Sequence, residues 1–382
     1  MLRHLKVLHL ASFSGNIGDN ANHAGARAQF AQNLSFQLNF TELEIREFYW
    51  KQRFFDDDFI SYANQFDLLL IGGGNYFELW VESSRTGCSI DLPPELLAKI
   101  RCPVLFYGLG VDAGQGVPDI CLQRFRAFMD CILADDRFFV AVRNDGAVDT
   151  LEKYLGEYYS RAVSAVPDGG FFVTPAAHSL PELENSPRNI VINLAGDMLD
   201  TRFKGGQNFL SAEGFFKEFA GCLEQLLTAN HDLNLVFVPH IFRDYAPISS
   251  VIEFLPDNLR RRRVAVAPYL VGTVGGDRQF SLYQQASLVL AMRFHANVCP
   301  LGMGVPTLGL VCYPQISHLY RELNLSALAV DVTAAGFSAT LFDQSQLALS
   351  GQHVDGHVIT AALLSNIKAT HKKIDAWLLR QF

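Results

Sequence analysis

Short apolar runs alternate with longer amphipathic segments along this chain, and turns rich in Gly, Asn and Asp separate them. A short apolar run predicts a buried strand, and an amphipathic segment predicts a helix. Strands that alternate with helices form a parallel sheet with helices on both faces. The pattern therefore predicts an α/β fold.

The first half of the chain follows this pattern without interruption. Its apolar runs predict strands at 6–13, 43–48, 67–71, 104–109, 138–142 and 163–166. Its amphipathic segments predict helices at 23–38, 118–133 and 145–155. We expect an N-terminal Rossmann-like domain over residues 1–177, which would be the acceptor side.

The pattern restarts after residues 178–188 (HSLPELENSPR), a polar stretch with two prolines that predicts a linker. Residues 189–382 predict a C-terminal Rossmann-like domain on the donor side, with a terminal helix at about 358–379. Parallel sheets bind ligands beyond the carboxyl ends of their strands. We therefore expect a glycosyltransferase-B-like architecture, in which the two parallel sheets face a cleft.

Composition excludes several classes of protein. The 382 residues are 49% hydrophobic, which is too apolar for a disordered chain. The net charge of −8 does not favour non-specific binding to nucleic acid or to anionic membranes. The seven cysteines form no CxxC pair, which predicts reduced thiols in the cytoplasm and neither a disulfide framework nor a metal site.

The N-terminus carries basic residues followed by a short apolar run, which a signal peptide also has. His9 lies within the run, and no convincing cleavage site follows, so a first buried strand is the better interpretation. No apolar stretch is long enough to span a bilayer. The basic run at 260–263 predicts a solvated helix end; its alternative is peripheral contact with a membrane surface or a lipid-linked acceptor.

Two glycine-rich segments follow predicted strands. In GNIGDN, Gly18, Asp19 and Asn20 lie where backbone amides can hold an anion, or where Asp19 or Asn20 caps the next helix. The spacing is not the GxGxxG fingerprint, so no nicotinamide or flavin cofactor is expected. GGGN includes Gly73, Gly74 and Asn75, which indicates either close approach of a ligand or a tight turn.

Polar residues follow three further strands. Arg143 could bind a phosphate or carboxylate, or form a surface ion pair with Asp145. Asp168 could orient a sugar hydroxyl, or bond to its own turn. His240 lies just past a strand of the second half, where a solvated loop is the alternative.

The triplet RFH, residues 293–295, is the strongest local signal. In an extended chain Arg293 and His295 point to the same side. A helix predicted from Ala296 would add backbone amides to an anion site. Histidine suits proton transfer near neutral pH, whereas a lone histidine is usually a core residue. The adjacent arginine favours a functional site.

These motifs, in this order, resemble the polysaccharide pyruvyl transferase family. The resemblance covers GNxGD, the triple glycine, YGLG from Tyr107, VRN from Val142, Pro167-Asp168, RFHAN and the later GVP. It extends as far as the segment that begins at Tyr313. In this sequence Phe294 replaces the family's leucine, RNDGA replaces its RDxxS motif, and Gln315 replaces its late lysine.

The resemblance implies an enzyme that uses phosphoenolpyruvate to form a pyruvate ketal on a saccharide acceptor, free or lipid-linked, without an organic cofactor. It implies that Arg293 and Arg143 bind the donor. We expect His295 to protonate the methylene carbon, and Asp168, Asp19 or His240 to handle the acceptor. Two alternatives stay open on the sequence: a nucleotide-sugar glycosyltransferase of the same architecture, and a non-catalytic saccharide-binding protein.

Overall fold

The computed structural model describes residues 3–184, 187–352 and 356–382. They form two compact units. The first comprises Met1–Ser14, Asn22–Gly169 and Ala362–Phe382, and the second comprises Gly15–Ala21 and Gly170–Ala361. Each unit contains one six-stranded sheet.

The first sheet is parallel throughout, in the order β2-β1-β3-β4-β5-β6. Because β2 and β3 lie on opposite sides of β1, the winding direction reverses between β1 and β3. In doubly wound sheets ligands bind at such a switch point. The strands are β1 (Arg3–Ala11), β2 (Phe36–Glu44), β3 (Leu68–Glu78), β4 (Val104–Asp112), β5 (Phe138–Arg143) and β6 (Ser164–Val166).

Helices cover this sheet and enclose an aromatic core that includes Phe77, Phe106, Phe125 and Phe128. The helices are α1 (Ile17–Asn33), α2 (Arg46–Tyr49), α3 (Asp57–Ala63), α4 (Pro94–Leu97), α5 (Asp119–Leu133), α6 (Ala147–Leu155) and α7 (Glu157–Ala162). The first residues of α1, up to Ala21, are part of the second unit.

The second sheet is also parallel, in the order β12-β11-β10-β7-β8-β9. Read from β9, this is the Rossmann order 3-2-1-4-5-6, whose switch point lies between β7 and β10. The strands are β7 (Arg188–Asn193), β8 (Leu233–Phe237), β9 (Val264–Val266), β10 (Leu288–Ala291), β11 (Thr307–Val311) and β12 (Ala329–Asp331).

The helices that follow Gly170 enclose a second core, in which Phe215, Phe219 and Phe237 are fully buried. They are α8 (Leu199–Arg202), α9 (Ala212–Ala229), α10 (Tyr245–Phe254), α11 (Asp257–Arg263), α12 (Gly272–Gln284), α13 (Phe294–Gly302), α14 (Pro314–Glu322) and α15 (Phe337–Leu349). The last helix of the chain is α16 (Gly356–Gln381). Within the described residues, none of the helices is both long and apolar enough to cross a membrane.

The structure confirms the predicted fold class but corrects the prediction for residues 17–48. The predicted helix 23–38 is the earlier helix α1, and Asn16 caps it by accepting a hydrogen bond from the Gly18 N–H at 3.0 Å. Asp19 and Asn20 therefore lie within the helix and are not its caps. The predicted strand 43–48 begins earlier, at Phe36, because all nine residues of β2 pair with β1.

The triple glycine is neither a turn nor the end of a strand. Strand β3 continues through Gly72–Gly74 to Glu78. Gly72 and Gly73 have φ angles of 149° and 82°, and the register against β4 shifts between Gly74 and Phe77. A Cβ on Gly72 would collide with the backbone oxygen of Tyr107. Glycine is thus required by the close approach of two strands.

The compact units differ from the predicted domains at three places. Gly15–Ala21 and residues 170–177 belong to the second unit, and α16 belongs to the first from Ala362 onward. Trp377 Nε1 donates to the Asp136 carbonyl at 2.7 Å, and Thr370 Oγ1 donates to the Ala165 carbonyl at 2.7 Å. Of the predicted linker 178–188, residues 185 and 186 lie outside the described residues, and Arg188 already begins β7.

Candidate active site

The switch point of the second sheet positions Arg293. Asn193 ends β7, and its Oδ1 accepts a hydrogen bond from the Arg293 N–H at 3.0 Å. The Asn193 Nδ2 donates to the Val238 carbonyl at 3.0 Å. Asn193, which is fully buried, therefore ties together the ends of β7, β8 and β10. Arg293 is held where this sheet order predicts a ligand.

The Arg293 guanidinium is paired with two carboxylates. Its Nε donates to Asp244 Oδ2 at 2.8 Å, and its Nη2 lies 2.5 Å from both Asp244 Oδ1 and Asp197 Oδ1. Burial works against the Arg293 charge, but the bonds to Asp244 and the charges of both aspartates raise its pKa above the ordinary value. Across the described ranges, its remaining nitrogen, Nη1, has no hydrogen-bond acceptor. Arg293 therefore retains one donor group for a ligand.

Asp244 holds this arrangement together. Its side chain is 0% exposed. Its carboxylate accepts hydrogen bonds from the N–H groups of Gly196, His240 and Ile241 at 2.9, 2.9 and 3.1 Å. A buried carboxylate with three backbone donors and a guanidinium is well satisfied. The pairing of Asp244 with Arg293 was not predicted, because the two residues are 49 positions apart in the sequence.

His295 lies in the first turn of α13 and is 6% exposed. Its Nδ1 is 4.0 Å from Asp19 Oδ1. A Cβ on Gly18 would lie 2.6 Å from the Cβ and the Nδ1 of His295. The predicted GNIGDN segment thus packs directly on the predicted histidine, and Gly18 makes the room for its ring.

Arg293 and His295 do not lie on the same side of an extended chain, as had been predicted. Helix α13 begins at Phe294, not at Ala296, so only Arg293 is extended. Both side chains nevertheless influence His240. Burial lowers the pKa of His240 well below its ordinary value, and the charges of Arg293 and His295 lower it further.

His240 is fully buried and is not part of a solvated loop. Its Nε2 is hydrogen-bonded to Tyr283 Oη at 2.8 Å, and its Nδ1 has no hydrogen-bond partner within the described chain. With its lowered pKa, His240 is a neutral imidazole near neutral pH. The Arg293 cluster comprises Arg293, Asp197, Asp244, His240, His295 and Asp19.

A second polar cluster lies at the carboxyl ends of the strands in the first unit. Arg143 ends β5, and its side chain is only 4% exposed. Its Nη2 and Nε donate to Asp145 Oδ2 at 2.7 and 3.0 Å, and its Nη1 donates to Asp168 Oδ2 at 3.4 Å. The ion pair with Asp145 is therefore buried, not on the surface. All three guanidinium nitrogens have carboxylate partners, and the donor-binding role of Arg143 stays a prediction.

Asp168 and Asn75 are close to this arginine. The Asp168 side chain is 0% exposed, and its backbone N–H donates to Asn144 Oδ1 at 3.0 Å. Asn75 Nδ2 donates to Asp112 Oδ2 at 3.0 Å. A Cβ on Gly110 would lie within 3 Å of Asn75, Arg143 and Asp145, so these side chains surround one glycine of β4.

Gly73 and Gly74 lie beside side chains that sequence reasoning missed. A Cβ on Gly73 would lie 2.7 Å from the ring of His23, and one on Gly74 would meet the ring of Tyr76. His23 Nε2 is 2.9 Å from the Ser12 carbonyl, and its ring packs edge-on to His9 at 4.9 Å. Neither histidine carries a local signal, since one lies in a strand pattern and the other in a helix pattern.

Glu78 and Asp112 were also missed. They are register partners at the ends of β3 and β4. Burial raises the pKa of Glu78 to about 7; the Ser89 hydroxyl opposes this effect, and Asp112 adds to it. Because the strand was predicted to end at Ile71, Glu78 did not appear at a strand end. A count of the apolar residues after the glycines, Tyr76 and Phe77, would have shown the longer strand.

The clusters are built from carboxylates, arginines and histidines that bond to one another. Among the residues that the structure describes, no group of three or more His, Cys, Asp or Glu side chains is placed to hold a metal ion. Both clusters lie at the carboxyl ends of parallel strands. The Arg293 cluster combines a guanidinium that keeps one donor nitrogen with two histidine rings.

Solved structures share the fold. Trehalose 6-phosphate synthase from Burkholderia multivorans matches with a TM-score of 0.57 and 10% identity, over 99% of this chain and 98% of that one. UDP-GlcNAc 2-epimerase from Neisseria meningitidis, bound to UDP-GlcNAc, matches with a TM-score of 0.54 and 10% identity, over 98% of this chain and 100% of that one. UDP-GlcNAc 2-epimerase from Methanocaldococcus jannaschii matches with a TM-score of 0.53 and 9% identity, over 94% of this chain and 99% of that one. These likenesses define a two-domain, glycosyltransferase-B-like protein.

The sequence profile of the family described as polysaccharide pyruvyl transferase matches residues 16–312. The chain belongs to this family, as its motifs predicted. Family membership supports a transferase that acts in pyruvyl transfer to polysaccharides. No curated protein matches the chain in sequence.

Proposed function

We propose that this protein transfers pyruvate from phosphoenolpyruvate to sugar hydroxyls of a polysaccharide or glycan precursor, where it forms a ketal. The observation that carries the proposal is the Arg293 cluster, in which an arginine with one uncommitted nitrogen and a histidine meet at the start of α13. Family membership gives the pyruvyl group, and the cluster suits an anionic donor.

The donor has a phosphate and a carboxylate. Arg293 Nη1 binds one of these anionic groups, and the N–H groups in the first turn of α13 contribute a second set of donors. Asp244 and Asp197 fix the guanidinium in place, so little side-chain entropy is lost on binding. The donor is held by groups that are already ordered.

His295 acts as the general acid. It gives a proton to the methylene carbon of phosphoenolpyruvate, and the adjacent carbon becomes an oxocarbenium-like centre. A sugar hydroxyl adds to that carbon and loses its proton. A second hydroxyl then displaces phosphate, which leaves with the electrons of its C–O bond, and the ketal closes. Asp19 Oδ1 lies 4.0 Å from His295 Nδ1, on the same side of the site.

The acceptor hydroxyls need a proton acceptor. Asp168, Asp19 and His240 are the residues first predicted for this role, and their environments differ. Asp168 is already paired with Arg143, and His240 has a neutral ring with one unpaired nitrogen.

We place the reaction in the cytoplasm, since seven cysteines that form no disulfide suit a reducing compartment. It includes a saccharide acceptor, free or lipid-linked, and no organic cofactor. A peripheral contact with the membrane that carries a lipid-linked acceptor would involve the exposed arginines of α11.

Phosphate release from phosphoenolpyruvate in the presence of a panel of saccharide acceptors tests the proposal, with the ketal identified by NMR. His295→Asn should lower turnover by at least about a hundredfold, the usual contribution of a general acid. His231→Asn, at an exposed histidine of the same unit, is the control and should leave turnover unchanged. A folded His295→Asn protein with near wild-type turnover would exclude the acid role. Turnover with UDP-sugars alone would instead indicate a glycosyltransferase.

A further inference from the structure

A pocket of about 510 Å³ lies in the second unit, beyond the carboxyl ends of β11 and β12. Val311 and Asp331, the last residues of those strands, line it. The start of α14 and the loop that follows α8 form other parts of its wall. The pocket is therefore placed as ligand sites are in parallel sheets, but at strands other than those that hold Arg293.

Two cationic side chains line this pocket, Arg202 and Lys204. Arg202 donates from Nη2 to Asp197 at 2.8 Å, and its guanidinium lies 4.7 Å from the ring centre of Tyr313. Its Nε and Nη1 are buried and have no hydrogen-bond partner in the described parts of the chain. Unsatisfied buried donors of a charged group are costly, and an anion that bonds to them removes this cost.

Lys204 is exposed, and it forms no ion pair with any residue of the described ranges. The lining carboxylate, Asp331, is already engaged, since its Oδ1 accepts from the Thr333 N–H and hydroxyl at 2.9 and 2.6 Å. The charged side chains of the lining, two cations and one carboxylate, sum to a positive charge in a protein whose net charge is −8. This local charge attracts an anion.

The pocket also offers a flat apolar surface. Phe209 lines it and is 57% exposed, although it is a large aromatic side chain. The loop that carries Phe209 is fixed, because Phe209 pairs with Ala334 and the Leu210 N–H donates to the Thr333 carbonyl at 2.7 Å. The exposed Phe209 ring, on a backbone held by these two contacts and beside two cations, suits a ligand that carries both a ring and a phosphate.

We infer that this pocket binds the phosphate ester of a sugar or a nucleoside. The phosphate bonds to Arg202 and Lys204, and the ring of the ligand lies against Phe209. Thr201 also lines the pocket, and so does Ser317, whose hydroxyl donates to the Pro314 carbonyl at 2.8 Å and can still accept a hydrogen bond from a ligand hydroxyl. The inference goes beyond the proposed function, because it requires neither phosphoenolpyruvate nor proton transfer by His295.

The pocket is linked to the Arg293 cluster through a single carboxylate. Asp197 bonds to Arg293 through Oδ1 and to Arg202 through Oδ2. The positive charges of Arg293 and Arg202 overcome the effect of burial and lower the pKa of Asp197. An anion bound to Arg202 competes with Asp197 for the guanidinium, but it does not displace a ligand bound to Arg293.

Isothermal titration of the full chain with UDP, glucose 1-phosphate and inorganic phosphate tests this inference. We expect UDP or glucose 1-phosphate to bind more tightly than inorganic phosphate, and the tighter of the two identifies the source of the ester. Lys204→Ala should weaken this ligand and inorganic phosphate about tenfold each, the value of a charge-assisted hydrogen bond. Phe209→Ala should weaken the ring-bearing ligand about tenfold and leave inorganic phosphate unchanged.

The chain offers matched controls, Lys217→Ala for the lysine and Phe254→Ala for the exposed aromatic, and both should bind like the wild type. His295→Asn should also bind normally, which separates this inference from the proposed function. Absence of binding by both esters, or an affinity unchanged in Lys204→Ala and in Arg202→Met, would overturn the inference. Displacement of the ester by phosphoenolpyruvate would also overturn it, because the pocket would then be the donor site.

Discussion

The substitution Gly18→Ala adds one methyl group beside His295 and tests the position of its ring without substituting His295 itself. Gly18 is the second residue of α1, and a Cβ there would lie 2.6 Å from His295 Cβ and Nδ1 and 2.8 Å from its Cγ. Ordinary contacts of a Cβ begin at 3.4 Å, so in Gly18→Ala the ring must retreat by about 0.8 Å.

A displacement of this size has two measurable effects. A misplacement of about 1 Å can lower turnover roughly a hundredfold, so we expect a loss of this order in kcat for phosphate release from phosphoenolpyruvate. Overpacking of the site should also lower the free energy of unfolding by about 1–3 kcal/mol. The affinity for phosphoenolpyruvate should change little, since the three atoms nearest to the new methyl group all belong to His295 and not to Arg293.

Gly221→Ala is the control for this substitution. Gly221 lies in α9 of the same unit, and a Cβ there meets nothing within 4 Å. It should leave kcat unchanged and stabilise the helix by about 0.5–1 kcal/mol. If Gly18→Ala showed the kcat and the stability of the wild type, the close packing of α1 on His295 would be refuted.

Three further predictions concern stability. Asp244→Asn should lower the free energy of unfolding, measured with denaturant, by about 3–5 kcal/mol, because it leaves the Arg293 charge without its buried partner. A loss below about 1 kcal/mol would contradict the buried ion pair. Burial raises the pKa of Glu78 from 4.5 to about 7, so between these pH values the folded state keeps a proton that the unfolded state releases. The free energy of unfolding should therefore fall by up to about 3 kcal/mol as pH rises from 4.5 to 7. Glu78→Gln should remove this fall in pH-dependent unfolding curves, and an unchanged slope would contradict the shift. Burial lowers the pKa of His371 from 6.5 to about 4, so the free energy of unfolding should be highest above pH 6.5 and should decrease as pH falls towards 4. His371→Gln should flatten the plot of unfolding free energy against pH in this range. A slope equal to that of the wild type would exclude His371 as the cause.

The α/β class and the Arg293 site could be predicted from the sequence because both rest on local signals. The apolar run Leu288–Ala291 forms strand β10, and the RFH triplet begins two residues after its last residue. The edge strand β2 was misplaced because only one of its faces is covered, so its pattern FQLNFTELE alternates with polar residues. Strand β3 was cut short because glycines usually end strands, whereas here they allow β3 and β4 to approach closely.

The partners of the site residues could not be predicted, because they are distant in sequence. Asp244 and Asp197 reach Arg293 from the loops after β8 and β7, and Asp168 lies 25 residues from Arg143. Only the sheet order brings these ends together. The same reason explains why the pocket around Arg202 had no signal, since its walls come from segments more than a hundred residues apart.

Calorimetric titration with phosphoenolpyruvate, on the wild type and on Arg293→Lys, tests the central claim most directly. Lysine keeps the charge but lacks the planar fork, and therefore the free Nη1 donor. Arg262→Lys, at an exposed arginine of α11, is the matched control. The donor site proposed at Arg293 predicts binding to the wild type and the control, and an affinity lower by about tenfold or more in Arg293→Lys. Equal affinity in all three folded proteins, or no binding to the wild type, would contradict it.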